Sequence, residues 1–220
     1  MIKFENVIKS YRVRDGEKYV LRNFTGVLPR KNIGILGGNG AGKSTLLRLI
    51  AGNDLPNSGR IRREGRISWP LGFGGAFNGS LSGAENSRFV ARIYGEDTER
   101  VLEFVKEFSE LGDFFRMPVG SYSSGMRAKL AFGVSMAIAF DYYLVDEITA
   151  VGDENFRAKC LRTFKEKLAS SSIIMVSHQM RTIREYCDIG GVIGGGELTL
   201  YDDLNEAIAV HNRNMGAAAA

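Results

Sequence analysis

Gly37-Gly38-Asn39-Gly40-Ala41-Gly42-Lys43-Ser44 lies between two apolar runs of different character. Before it, Asn32-Ile33-Gly34-Ile35-Leu36 predicts a buried strand; after it, Thr45-Leu46-Leu47-Arg48-Leu49-Ile50-Ala51 predicts a helix closed by Gly52. A glycine-rich turn between a strand and a helix start makes a cradle for an anion. Backbone N–H groups point inward, the helix N-terminus adds positive potential, and the Lys43 ammonium supplies a full charge for the outer phosphates. The Ser44 hydroxyl is of the type that serves Mg²⁺. Residues Gly37, Gly38, Asn39, Gly40, Ala41, Gly42, Lys43, Ser44 and Thr45 are therefore the expected phosphate-binding set, and the ligand they suit is a nucleoside triphosphate.

Outward from that loop, the 220 residues are enough to bury a substantial core, as one domain with a subdomain or as two small domains. A hydrophobic content of 44% and a charged content of 25% are ordinary for a soluble globular protein. No apolar stretch approaches the roughly 18–20 residues a membrane span needs, and Met1-Ile2-Lys3-Phe4-Glu5 lacks the apolar core of a signal peptide. Cys160 and Cys187 lack metal-ligand spacing, which points to a reducing compartment. The net charge of +4 is compatible with an anionic partner but equally with a plain solvated surface.

Residues 2–36 read mostly as strands, with a polar turn at Asp15-Gly16. Two short strands are expected near 60–63 and 66–69, and 71–83 is a glycine-rich loop. Ser82-Gly83-Ala84-Glu85 has the form of a capping box. The next helix starts at Asp97, carries Val101, Phe104, Val105, Phe108 and Leu111 on one face, and is expected to end at Gly112. A polar turn at Ser123 opens a long apolar helix to about Ala139. Strands and helices then alternate, which indicates a parallel α/β core. Residues 80–138 read as a helical insertion in a single domain of residues 1–212, and 213–220 as a tail whose alanines resemble an artificial junction.

The buried run Tyr142-Tyr143-Leu144-Val145 ends in Asp146-Glu147. In a parallel sheet that end lies beside the phosphate loop, where Asp146 can orient Mg²⁺ and Glu147 can take a proton from an attacking water. His178 closes the run Ile173–Val176 and should reach the same edge. Lys43, Glu147 and His178 are the expected catalytic residues, and Ser44 and Asp146 the expected metal ligands.

The phosphate loop, Tyr122-Ser123-Ser124-Gly125-Met126, Asp146-Glu147 and His178 fall in the order of the ATP-binding-cassette ATPases, which the chain resembles over about residues 1–212. That resemblance implies a P-loop NTPase (RecA-like) core with an N-terminal antiparallel β subdomain and an inserted α-helical subdomain. It implies ATP and Mg²⁺ as ligands. It also implies that Ser123 and Gly125, which match the family's Leu-Ser-Gly-Gly-Gln turn while Ser124 and Met126 depart from it, complete the ATP site of a second copy in a homodimer. Tyr11 matches the aromatic that stacks on adenine, with Tyr19 the weaker competitor. Between the phosphate loop and the helical insertion there is no glutamine to serve the family's glutamine loop; Asn78 is the nearest substitute.

Ile67-Ser68-Trp69-Pro70, Phe77-Asn78-Gly79-Ser80-Leu81, Tyr122 to Arg127 and Val145 to Asp153 are most similar to the ATPase subunit of capsular-polysaccharide exporters of the Kps type. The resemblance implies ATP-driven export through a separate integral membrane permease, with the chain peripheral on the cytoplasmic face of the inner membrane and no nucleic-acid partner. Two rivals stay open at this point: the ATPase of another transporter (O-antigen, teichoic acid, lipid or drug), and a soluble cassette protein acting on ribosomes or DNA.

Overall fold

A computed structural model of the chain describes residues 1–14, 16–71, 77–146, 154–177 and 179–217. Ile2–Val13 (β1) and Gly16–Leu28 (β2) pair antiparallel, with Val13 opposite Gly16 at the turn and Ile2 opposite Leu28 at the far end. Ile2, Phe4 and Val7 are buried along β1, as the alternating pattern demands. The pairing carries β2 back to Gly16, earlier than the apolar residues alone reveal. Ile33–Leu36 (β3) is buried at every position, the pattern of a strand covered on both faces. Lys43–Ala51 (α1) follows, closed by Gly52 in the left-handed conformation. Ser58–Arg63 (β4) pairs with β1, giving a three-stranded sheet in the order β2-β1-β4.

Ile67–Leu71 (β5) begins the second sheet. The helices Gly83–Ile93 (α2), Thr98–Ser109 (α3) and Ser124–Ala137 (α4) come next, followed by Tyr142–Asp146 (β6), Glu154–Leu168 (α5) and Ser172–Val176 (β7). Met180–Tyr186 (α6), Ile189–Gly194 (β8), Glu197–Tyr201 (β9) and Leu204–Ala217 (α7) complete the described chain. The second sheet has six strands in the order β5-β6-β7-β3-β8-β9. β6, β7, β3 and β8 run parallel, and β9 turns back antiparallel on β8. This is the α/β core with an antiparallel β subdomain that the sequence leads one to expect.

The elements fall into two compact units, one holding both sheets with α1, α6 and α7, the other holding α2 to α5. In the sheet-bearing unit, Ile2, Phe4, Leu21, Ile33, Ile35, Leu46, Ile50, Tyr142 and Ile174 share one core. The two sheets are tied there by the Arg22 N–H, which donates to Gly196 O at 2.7 Å. Arg63 of β4 donates to the carbonyls of Leu49 and Ile50 and so caps the C-terminus of α1.

In the helical unit, Phe108 stacks on Phe104 and Phe132, with ring centroids 5.5 and 5.9 Å apart, and meets Phe156 edge-on at 5.6 Å. Phe156 lies on α5, outside the 80–138 insertion expected from sequence. The capping box at Ser82 is present with both of its hydrogen bonds. α3 ends earlier than expected: the left-handed residue that closes it is Glu110 (φ 53°), not Gly112. α7 runs through Ala217, so residues 213–217, expected as a tail, are helical.

Candidate nucleotide-binding site

The register of the parallel strands assembles the site. Asp146 lies opposite Val176, Val176 opposite Ile35, and Leu36 leads directly into the phosphate loop. The C-terminal ends of β3, β6 and β7 therefore share one edge, where open parallel sheets take their ligands. A cleft of about 350 Å³ at that edge is lined by Tyr11, Lys18, Val20, Asn39, Gly40, Gly42, Lys43, Ser44, Thr45 and Asp146, within the size range of small-molecule sites.

Gly42, the N-cap of α1, has φ 104°, and a Cβ there would lie 2.4 Å from Val20 Cγ1. Both the backbone conformation and the space require glycine. At Gly37 it is space alone: a Cβ would lie 2.5 Å from the carbonyl of Ile193 in β8. Lys43 is 8% exposed and donates from Nζ to Gly37 O (2.7 Å) and Gly38 O (3.0 Å). Burial pulls its pKa below the ordinary lysine value, and the Asp146 carboxylate works in the other direction. Ser44 is exposed to the cleft, whereas Thr45 is buried and its Oγ1 accepts from Arg48. Gly38 and Ala41 belong to the same loop, closed by the Ala41 N–H donating to Gly38 O.

Tyr11 is exposed and lines the cleft. Its hydroxyl donates to Asp54 Oδ2 at 3.0 Å, and Lys9 Nζ donates to Asp54 Oδ1 at 2.7 Å. Tyr19 is not among the residues lining that cleft. Burial would raise the Asp54 carboxyl; the hydrogen bonds from Lys9 and Tyr11 outweigh it and hold the group below its usual range. A second cation, Lys18, overhangs the loop, its Nζ 3.0 Å from where a Gly40 Cβ would sit.

A neighbouring cavity of about 200 Å³ also touches Gly37, Gly38, Asn39 and Lys43, and is closed by Ser177, His211 and Met215. Burial, and after it the Lys43 ammonium, lowers the pKa of His211. Lys9, Lys18, Asp54 and His211 are the residues that motif reading missed. Only Lys9 had a readable signal, as the strand neighbour of Tyr11 two positions away on one face.

Ser123 and Gly125 lie in the helical unit. Ser123 caps α4, its Oγ accepting from the Met126 N–H at 3.2 Å. Gly125 is exposed, and a Cβ there would meet nothing closer than Ser123 Oγ at 3.9 Å. Asn78 spends its side-chain oxygen locally, accepting from the Ser80 N–H at 2.9 Å. Glu147 and His178 lie outside the described residues.

The ABC transporter family profile matches residues 24–150. Over 220 aligned residues the chain is 52% identical to the polysialic acid transport ATP-binding protein KpsT of Escherichia coli, covering 98% of this chain and 100% of that one. It is 47% identical over 213 residues to the capsule polysaccharide export ATP-binding protein CtrD of Neisseria meningitidis serogroup B, covering 96% of this chain and 99% of that one. Among solved structures, it resembles the ATP-binding cassette MJ0796 in a dimeric post-hydrolysis state bound to ADP and Pi, with a TM-score of 0.74 at 20% identity, over 93% of this chain and 99% of that one. That last likeness concerns the fold alone. The match in sequence carries more, and it agrees with a phosphate loop, a strand-end Asp146 and an aromatic at one cleft: the chain belongs to the ABC transporter family, as one of its ATP-binding, ATP-hydrolysing cassettes.

Proposed function

We propose that this chain powers the export of a capsular polysaccharide across the cytoplasmic membrane, as a peripheral ATPase on the cytoplasmic face working with a separate permease. The observation that carries the reading is the full-length match to transport ATPases for polysialic acid and capsule polysaccharide, together with the cleft that gathers Lys43, Ser44 and Asp146. No described helix is long and apolar enough to cross a membrane, which is why a membrane-spanning partner is part of the proposal.

In this reading the base of ATP stacks on Tyr11 and the phosphates lie along the loop from Gly37 to Thr45, with Lys43 on the outer phosphates. Mg²⁺ fits the donors present. Ser44 and Asp146 offer hard oxygens on one cleft, and among the described residues no group of three or more His, Cys, Asp or Glu forms a competing metal site. When bound, the ion neutralises phosphate charge. Glu147 accepts a proton from the attacking water, and His178 donates a hydrogen bond at the outer phosphate or steers Glu147 and that water. Two copies close on one another, and the Ser123 hydroxyl and the open backbone at Gly125 meet the nucleotide held by the partner.

The test is complementation. Expressed in an encapsulated strain lacking its own export ATPase, the chain should restore surface polysaccharide and co-purify with the permease, and Glu147→Gln should bind MgATP while suppressing turnover. Restoration of O-antigen or teichoic acid instead, or ATP hydrolysis with no permease in the membrane fraction, would overturn the capsule reading.

A further inference from the structure

Tyr11 is 40% exposed on β1, yet its ring is held at two points. Its hydroxyl donates to Asp54 Oδ2 at 3.0 Å, and Lys9 Nζ sits 4.9 Å from its ring centroid. Lys9 itself is only 7% exposed, and an ammonium so placed needs partners; it has Asp54 Oδ1 at 2.7 Å and Leu55 O at 2.9 Å. Asp54 in turn hangs from the end of the helix that begins with the phosphate-binding lysine: its N–H, like that of Asn53, donates to Arg48 O. An unbroken chain of bonds thus runs from α1 through Asp54 to the phenol ring at the cleft.

We propose that Asp54, braced by Lys9, is a positioning residue for nucleotide binding: its carboxylate clamps the Tyr11 ring in place for the base and ties that ring to the helix that carries the phosphate loop. The inference rests on the reading of Tyr11 as the stacking aromatic. An exposed ring samples several rotamers and loses them when a base stacks on it; a ring already fixed has little left to lose. A hydrogen bond to a charged acceptor suits the task, being shorter and stronger than a neutral one. Because Lys9 neutralises Asp54, the clamp places no net negative charge near the incoming triphosphate. Its effect is confined to the base, since neither Lys9 nor Asp54 lines the cleft.

The experiment compares two ligands in the presence of Mg²⁺: ATP, and inorganic tripolyphosphate, which has the phosphates without the base. The ratio of their dissociation constants isolates the contribution of the base and is insensitive to a partial loss of folded protein. Tyr11→Ala should collapse the ratio. Tyr11→Phe, which keeps the ring and the Lys9–Asp54 pair, and Asp54→Asn should each lower it by about threefold to tenfold through weaker ATP binding, leaving tripolyphosphate binding unmoved. The double variant should be no worse than the poorer single one, because both changes cut the same link. A ratio unmoved by Tyr11→Ala overturns the stacking reading and this proposal with it. A ratio moved by Tyr11→Ala but by neither Tyr11→Phe nor Asp54→Asn overturns the clamp alone. So does equal weakening of both ligands by Asp54→Asn, which would assign Asp54 to the support of α1.

Discussion

Lys43 Nζ donates to Gly37 O at 2.7 Å, so the lysine that opens α1 also closes the loop in front of it. In the proposed reading two tasks fall on one ammonium: holding the cradle in shape and meeting the phosphates. Lys43→Ala should therefore lower the ATPase rate by about 10²-fold or more, the scale of losing one preorganised stabiliser of developing charge. Lys43→Arg should not rescue it, because a planar fork cannot reproduce a point donor shared by two adjacent carbonyls. Phosphate release by both variants, measured beside ATP binding, checks this.

Two glycines should behave in opposite ways. Gly42→Ala forces an L-residue into the left-handed region, costing about 1–2 kcal/mol, before its Cβ meets Val20. Gly125→Ala adds a methyl group to open space in the first turn of α4, where alanine favours helix by roughly 0.5–1 kcal/mol. Denaturant melts should show the first variant destabilised and the second equal to or above the parent. If a partner's nucleotide approaches Gly125 as proposed, the second variant nonetheless loses ATPase activity.

His211 should make stability sensitive to acid. Burial, then the Lys43 charge, holds its imidazole below the ordinary 6.5, so the folded chain refuses a proton that the unfolded chain accepts. The stability this represents is present above 6.5 and is lost as pH falls through the lowered folded value. Unfolding midpoints on either side of that window should fall less in His211→Gln than in the parent.

On α2, Phe89 and Ile93 are 60% and 61% exposed and one helical turn apart, an apolar pair suited to contact with the proposed permease. Charged replacements, Phe89→Asp with Ile93→Asp, should leave the ATPase activity of the isolated chain within about twofold, as expected of surface changes. They should remove the permease from pull-downs. Retention of the permease would place its contact elsewhere.

The sequence made the phosphate loop and the strand-end Asp146 legible because each is a local pattern: glycine spacing in one case, an apolar run ending in acid in the other. Tyr11 needed the family likeness. Asp54 was not legible at all, because its partners Lys9 and Tyr11 are 45 and 43 residues away and only the pairing of β1 with β4 brings them together. His211 escaped for the same reason. It reaches the loop only because Ala207, on the same face of α7, packs closely on Gly190 of β8. The end of α3 was misjudged because Glu110 takes a conformation more common for glycine.

Arg63 and Asp54 pin the far end of α1 to the strands that carry Tyr11, while Lys43 pins its near end to the loop. In the proposed reading the helix works as a caliper, its near jaw on the phosphates and its far jaw on the Tyr11 ring. Its nine residues span about 13.5 Å at 1.5 Å per residue, which sets the separation of the two jaws. Adding or removing a single residue between Thr45 and Asn53 would also turn the far jaw by about 100°, a change of gauge that compensation at the surface could not undo.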